Sequence, residues 1–250
     1  GEQARFALRS LRSKPDIFEI FIQPIQWGMT SWLIEDTEER RWIDNAIEKT
    51  IGYIQQGGQF DMSLQVTIPN EWENLAPVNI GYTAGIETTK VAHQWLQKAN
   101  EMDKVIVVSR HSKKVFENSK YMGINEQTQE ELKLTLQTPI EFVNYPVKLF
   151  DNLEELELNI ETDINFLVIA QQTPRKNLPN TIRWIVEEFG DEEVGLVIKT
   201  NKAKNCLMDR EMVMAELSGF VRSLPHTKCK VYLLHGDMTD EEMHALYRHP

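Results

Sequence analysis

Residues 165–182 read NFLVIAQQTPRKNLPNTI, and their reading decides the fold. The apolar run Phe166 to Ala170 has the length and composition of a buried β-strand. It stops at a short polar turn holding Pro174, Arg175 and Lys176, after which the apolar positions take up helical spacing. A strand, a tight turn and a helix form one half of a βαβ unit. The unit repeats twice downstream: strand 194–200 leads to a helix near 207–224, and strand 230–236 leads to a helix opening at Thr239. There T-D-E-E has the form of a capping box, with Thr239 as N-cap and Glu242 three residues on. Alternating strands and helices call for a parallel sheet covered by helices.

The upstream half follows the same grammar. A helix is expected over ARFALRSLRS, ending before Pro15 and Asp16, then a strand over 17–24. An amphipathic helix is expected over 36–57, with Trp42, Ala46, Ile47, Ile51 and Ile54 on its apolar face, stopped by Gly57-Gly58. Strands follow at 62–69, 78–85, 104–109 and 138–146, with helices at 87–100 and 111–123. Residues 147–162 are acidic and lack a clear period. The expected architecture is therefore α/β, with two doubly wound, Rossmann-like parallel-sheet lobes. The first covers 1–148, residues 149–162 connect, and 163–250 form a second lobe that is incomplete.

Composition excludes several functions. The chain has 250 residues and a formal net charge of -11, which argues against a nucleic-acid partner, because a phosphate backbone requires a basic footprint. Two cysteines, Cys206 and Cys229, fit neither a metal site nor a disulfide framework and are expected as free thiols. No apolar run approaches the roughly 20 residues needed to span a bilayer. No secretory leader is visible, so a cytoplasmic location is expected, with peripheral membrane attachment left open for a longer reading frame. No Ser-His-Asp or HExxH arrangement occurs, and no G-x-G-x-x-G follows a strand.

In an open parallel sheet, ligands bind beyond the carboxyl ends of the strands. In the first half that edge holds Gln23, Trp27, Asn70, Glu71, Gly85, Glu87, Ser109, Arg110 and His111. In the second it holds Arg175, Lys176, Lys199, Thr200, His235, Gly236 and Asp237. Arg175, Lys176 and Lys199 are three cations on one edge of an acidic protein, an arrangement suited to a diphosphate. The helix start after Asn177 would add its positive end. The plain alternative is a solvated turn beside a strand-end lysine. His111 and Glu87 would face the ligand edge; their plain alternatives are a polar helix-start residue and an acid complementing a helix dipole. Trp27 could stack on a sugar, whereas Trp42 and Trp95 are expected in the core.

The run IAQQTPRKNLPNTIRWIVEEFGDEEVGLVIKT resembles the donor-binding lobe of family 4 glycosyltransferases, which have the GT-B fold. VYLLHGDMTDEEMHALYRHP is similar to that lobe's next stretch, and FVNYPV to the strand entering its hinge. In the first half, Gly81, Tyr82, Glu87, Trp95, Asn100, Asp103 and Ser109 fill the family's pattern of spaced residues. The likeness covers roughly residues 78–250. It implies retaining, metal-independent transfer of a sugar from a nucleotide-sugar donor to a carbohydrate, lipid or protein acceptor, with no cofactor. Lys176 matches the family's phosphate contact most directly, with Arg175 beside it and Lys199 as a third. Gly85, Glu87, His111 and Thr200 are expected contacts in the cleft, and no catalytic base is named. Two rivals are a GT-B-fold sugar-nucleotide epimerase, for which His235 and Asp237 are the hint, and a non-catalytic module binding a nucleotide or partner.

The family's paired donor glutamates would follow Pro250, and its first strand and glycine-rich loop would precede Gly1. An internal fragment is thus expected, with an unpaired sheet edge and exposed apolar surface. The isolated chain should therefore self-associate. Sizing with light scattering at rising concentration should give a mass above the 29.1 kDa monomer; a concentration-independent monomer would refute this.

Overall fold

A computed structural model describes residues 2–25, 36–124, 131–151, 154–202, 205–225 and 227–249. The chain divides into two compact units, Gly1–Val147 and Lys148–Pro250. Both are α/β with parallel sheets, as Rossmann-like lobes are.

The first unit opens with helix α1 (Glu2–Arg12) and helix α2 (Glu38–Gln55). Its sheet is built from β1 (Met62–Val66), β2 (Val78–Thr83), β3 (Lys104–Val107) and β6 (Ile140–Phe142), parallel and in that spatial order. The connections carry a 3-10 turn (Pro69–Glu71), helix α3 (His93–Asn100) and helix α4 (Arg110–Asn118). An antiparallel hairpin, β4 (Lys120–Ile124) with β5 (Glu131–Thr135), is inserted before β6.

Side chains of neighbouring strand residues point to opposite faces, and β2 shows the consequence. Gly81 faces the 3-10 turn so closely that an added Cβ would lie 2.6 Å from the Trp72 indole. Tyr82, one residue on, turns to the other layer, where the Gln3 amide of α1 donates to its hydroxyl. Burial pushes the Tyr82 phenol above its ordinary value, opposed by the Gln3 hydrogen bond, so it serves here as a neutral hydroxyl. One core gathers Trp72, Leu96, Ala99, Val105, Val107, Phe116 and Ile140, so all three connections pack on the same side of the sheet. That follows from the one-way strand order, since right-handed crossovers in one direction fall on one face.

The second unit holds β7 (Ile164–Ile169), helix α5 (Leu178–Glu188), β8 (Val194–Lys199), helix α6 (Leu207–Arg222), β9 (Lys230–Leu234) and helix α7 (Asp240–Arg248). Its strands are parallel in the order β7-β8-β9. Leu196 and Ile198 of β8 meet Leu178, Ile182 and Val186 of α5 and Val213 and Leu217 of α6 in one core. On the other face Gly195 admits Asn165 and Thr162, and an added Cβ would lie 2.0 Å from Asn165 Oδ1. The capping box at Thr239 and Glu242 is formed.

Several expectations are corrected. Residues 17–24 form no strand: Phe21 instead packs its ring 4.5 Å from that of Tyr53, and the Ile22 amide donates to Thr50 Oγ1. Those contacts rotate the buried stripe of α2 onto Ala46 and Thr50, leaving Ile51 and Ile54 half exposed. The helix expected from 87 begins only at His93, because the preceding backbone is engaged elsewhere. The Val91 amide donates to Ser119 Oγ, and the Tyr121 hydroxyl donates to the Val91 carbonyl. The hairpin breaks the strict β/α alternation. The run Phe166 to Ala170 is not buried: β7 pairs only with β8 among the described residues, and Phe166, Leu167 and Ile169 are 37–38% exposed. Neither sheet reverses its strand order among the described residues, so the switch point of a doubly wound sheet is not among them.

The Gly81–Trp72 contact yields a stability test. Gly81→Ala should cost about 1–3 kcal/mol by overpacking, read by urea unfolding. Adding Trp72→Phe should recover part of that loss, whereas Trp72→Phe alone should destabilise.

Candidate functional site

The carboxyl ends of the strands carry two groups of side chains, one in each unit. In the first unit the loop after β2 and the start of α4 come together. Gly85 has φ +86, a conformation that side chains rarely adopt, and an added Cβ would lie 2.2 Å from Ser112 Oγ. Ser109 caps α4, its hydroxyl accepting the Ser112 amide. His111 Nε2 lies 3.1 Å from the Thr88 carbonyl, which fastens the loop to the helix. Glu87 is exposed and sits in that loop rather than in a helical first turn, which removes the plain alternative of an acid complementing a helix dipole. The structure thus brings Gly85, His111 and the loop of Glu87 together. Arg110 stands apart, its guanidinium 5.5 Å from the Phe142 ring centroid.

The other residues of that edge are accounted for separately. Glu71 accepts from the Thr67 hydroxyl in the 3-10 turn, Asn70 is exposed beside it, and Gln23 is exposed on the chain that follows α1. Trp27 lies outside the described residues. Trp95 is packed as expected, stacking on Phe116 at 6.4 Å, and Trp42 is half buried under the Arg12 guanidinium. Of the spaced motif residues, Asn100 and Asp103 hold backbone. Asn100 Nδ2 donates to the Thr135 carbonyl at 2.8 Å, and Asp103 accepts the Asn79 amide at 2.7 Å.

In the second unit, Arg175 and Lys176 occupy a 3-10 turn (Pro174–Lys176) between the end of β7 and the start of α5. Both are exposed. Asn177 follows with φ 51, the left-handed conformation that asparagine tolerates. Its side chain accepts from the Asn180 amide at 2.9 Å, and α5 has no side-chain cap on its first turn. Lys199 ends β8, paired in register with Ile169 of β7 and Leu234 of β9. Its ammonium donates to the Gly236 carbonyl, just beyond β9. Strands β7 and β9 flank β8 on opposite sides, so Lys199 leans away from the strand that carries Arg175 and Lys176. All three cations occupy one sheet edge.

Thr200 is buried, its hydroxyl 3.5 Å from the Asn201 carbonyl. His235 is paired with Asp209, Nε2 to Oδ2 at 2.7 Å, and Asp237 is exposed beyond it. Sequence reasoning missed Asp209. It lies 26 residues before His235 in the first turn of α6, and no local pattern links the two. Among the described residues no group of His, Cys, Asp and Glu could hold a metal ion, and no helix is long and apolar enough to cross a membrane. Cys206 and Cys229 are free thiols.

No family model, curated protein or solved structure matches the chain.

The loop after β2 gives the first unit its test. Gly85→Ala should lose roughly 1–3 kcal/mol, the usual cost of a sparsely populated backbone conformation. Gly85→Ala with Ser112→Gly should recover only the steric part, because the positive φ remains. Thermal melts of the two variants separate these contributions.

Proposed function

We propose that the protein is a retaining glycosyltransferase of GT-B type that takes a nucleotide-sugar donor, and that its second unit holds the donor diphosphate. One observation carries the reading. A turn bearing Arg175 and Lys176 joins the carboxyl end of a parallel strand to a helix whose first turn has no side-chain cap. Unsatisfied N–H groups at a helix start attract anions, and the two side chains add full positive charges beside them. An Arg guanidinium can pair with phosphate oxygens bidentately, and a Lys ammonium acts as a point charge.

The chemistry follows from that electrostatics. In glycosyl transfer the sugar–oxygen bond breaks as the diphosphate leaves, and negative charge accumulates on its oxygens. Cations fixed in advance stabilise that charge more than they stabilise the intact donor, so they lower the barrier. Lys199 contributes once it exchanges the Gly236 carbonyl for a phosphate oxygen. The acceptor is a carbohydrate, lipid or protein on the side of the first unit, where Gly85, Glu87 and His111 are candidate contacts to acceptor or donor sugar. Self-association follows from the half-exposed apolar residues of β7.

Calorimetric titration with nucleoside diphosphates tests the reading. Binding should weaken with added salt, and Lys176→Ala should reduce affinity by about tenfold or more, the value of a charge-assisted hydrogen bond. No binding to any nucleoside diphosphate would overturn the donor site. Binding with donor turnover to an epimerised sugar nucleotide would favour the epimerase.

A further inference from the structure

Among the described residues of the second unit, the buried pair His235 and Asp209 is not used by the proposed chemistry. The side chains of His235 and Asp209 are only 3% and 6% exposed. Burying such groups is costly unless each finds a partner, so their pairing constrains everything attached to them. Asp209 Oδ2 accepts from His235 Nε2 at 2.7 Å and from the Lys202 amide at 3.1 Å. A single carboxylate oxygen therefore ties the loop after β8 to the turn after β9.

Gly236 sits in that tied turn. Its φ of +109 suits glycine, and an added Cβ would lie 3.0 Å from Asn205 Oδ1. The Gly236 carbonyl accepts the Lys199 ammonium. Lys199 leaves an otherwise apolar strand, so its charged head needs a fixed acceptor or open water.

We infer that His235 and Asp209 are positioning residues for Lys199: they hold the turn whose Gly236 carbonyl keeps the Lys199 ammonium at the sheet edge, ready to be exchanged for an anion. The last clause rests on the reading of Lys199 as a donor-phosphate contact; the positioning itself does not. The pair acts through backbone, from imidazole to carboxylate to turn to carbonyl, and touches no substrate.

Competitive labelling of lysines with acetic anhydride, read by mass spectrometry, tests this without a known substrate. In the native protein Lys199 should label more slowly than the exposed Lys176. His235→Ala should raise Lys199 labelling about fivefold, the population equivalent of one net hydrogen bond. His235→Gln, which retains an N–H for Asp209, should stay near the native rate. His235→Phe keeps the ring volume but removes the N–H and should behave like His235→Ala. Continued protection of the buried Cys229 thiol from a disulfide reagent certifies the fold of each variant; should His235→Ala fail that check, the contrast between His235→Phe and His235→Gln decides. Unchanged Lys199 labelling in a folded variant lacking the imidazole N–H, or equal release in His235→Gln, overturns the inference. Inorganic pyrophosphate should slow Lys199 labelling in the native protein. If it does not, while removal of the imidazole N–H still releases Lys199, the donor reading of Lys199 fails and the positioning role stands.

Discussion

Parallel pairing on both sides of β8 is the constraint on which the second unit depends. It aligns Ile169, Lys199 and Leu234 in one row and sends three chain segments out of the sheet at the same edge. A parallel ladder requires long crossovers, and here those crossovers are α5 and α6, packed together over Leu196 and Ile198. The polar residues that leave the strands are thereby gathered while the apolar ones are buried on the helix-covered face. Any chemistry at that edge is a by-product of the same alternation that builds the core.

The edge is also where polar groups are hardest to satisfy, and the structure meets that difficulty differently at each strand. After β7 the chain turns through Arg175 and Lys176 to a helix start without a side-chain cap. After β8 the lysine folds back onto a carbonyl. After β9 an imidazole enters the protein and meets a carboxylate. The first arrangement leaves both basic residues exposed, and the third is closed. Lys199 stands between them, held by the Gly236 carbonyl.

In the first unit close approach works beside the polar ties. Trp72 lies fully buried against Gly81, and the loop after β2 rests on Ser112 through Gly85. Both glycines mark places where a side chain would separate layers that must touch. The one-way order of the strands puts the 3-10 turn, α3 and α4 side by side over that sheet, while α1 covers Tyr82 on the other face.

Local chemistry in the sequence was sufficient for the parallel α/β class, the strands at 62–66, 78–83, 104–107 and 194–199, the capping box at Thr239 and the turn of Arg175 and Lys176. Period, β-branching, capping and turn residues act over a few neighbours, so they can be read in one dimension. Tertiary structure alone decided the rest. Residues 17–24 have the alternation of a strand but lie across α2, because Phe21 finds Tyr53 and Phe60. Residues 87–92 could join a helix, yet Ser119, Tyr121 and His111 engage their backbone first. The apolar run of β7 has the composition of a central strand, but burial depends on neighbours, and β8 is its sole pairing partner among the described residues. The pairing of His235 with Asp209 rather than Asp237 likewise depends on where α6 packs, a distance in space that no spacing along the chain encodes.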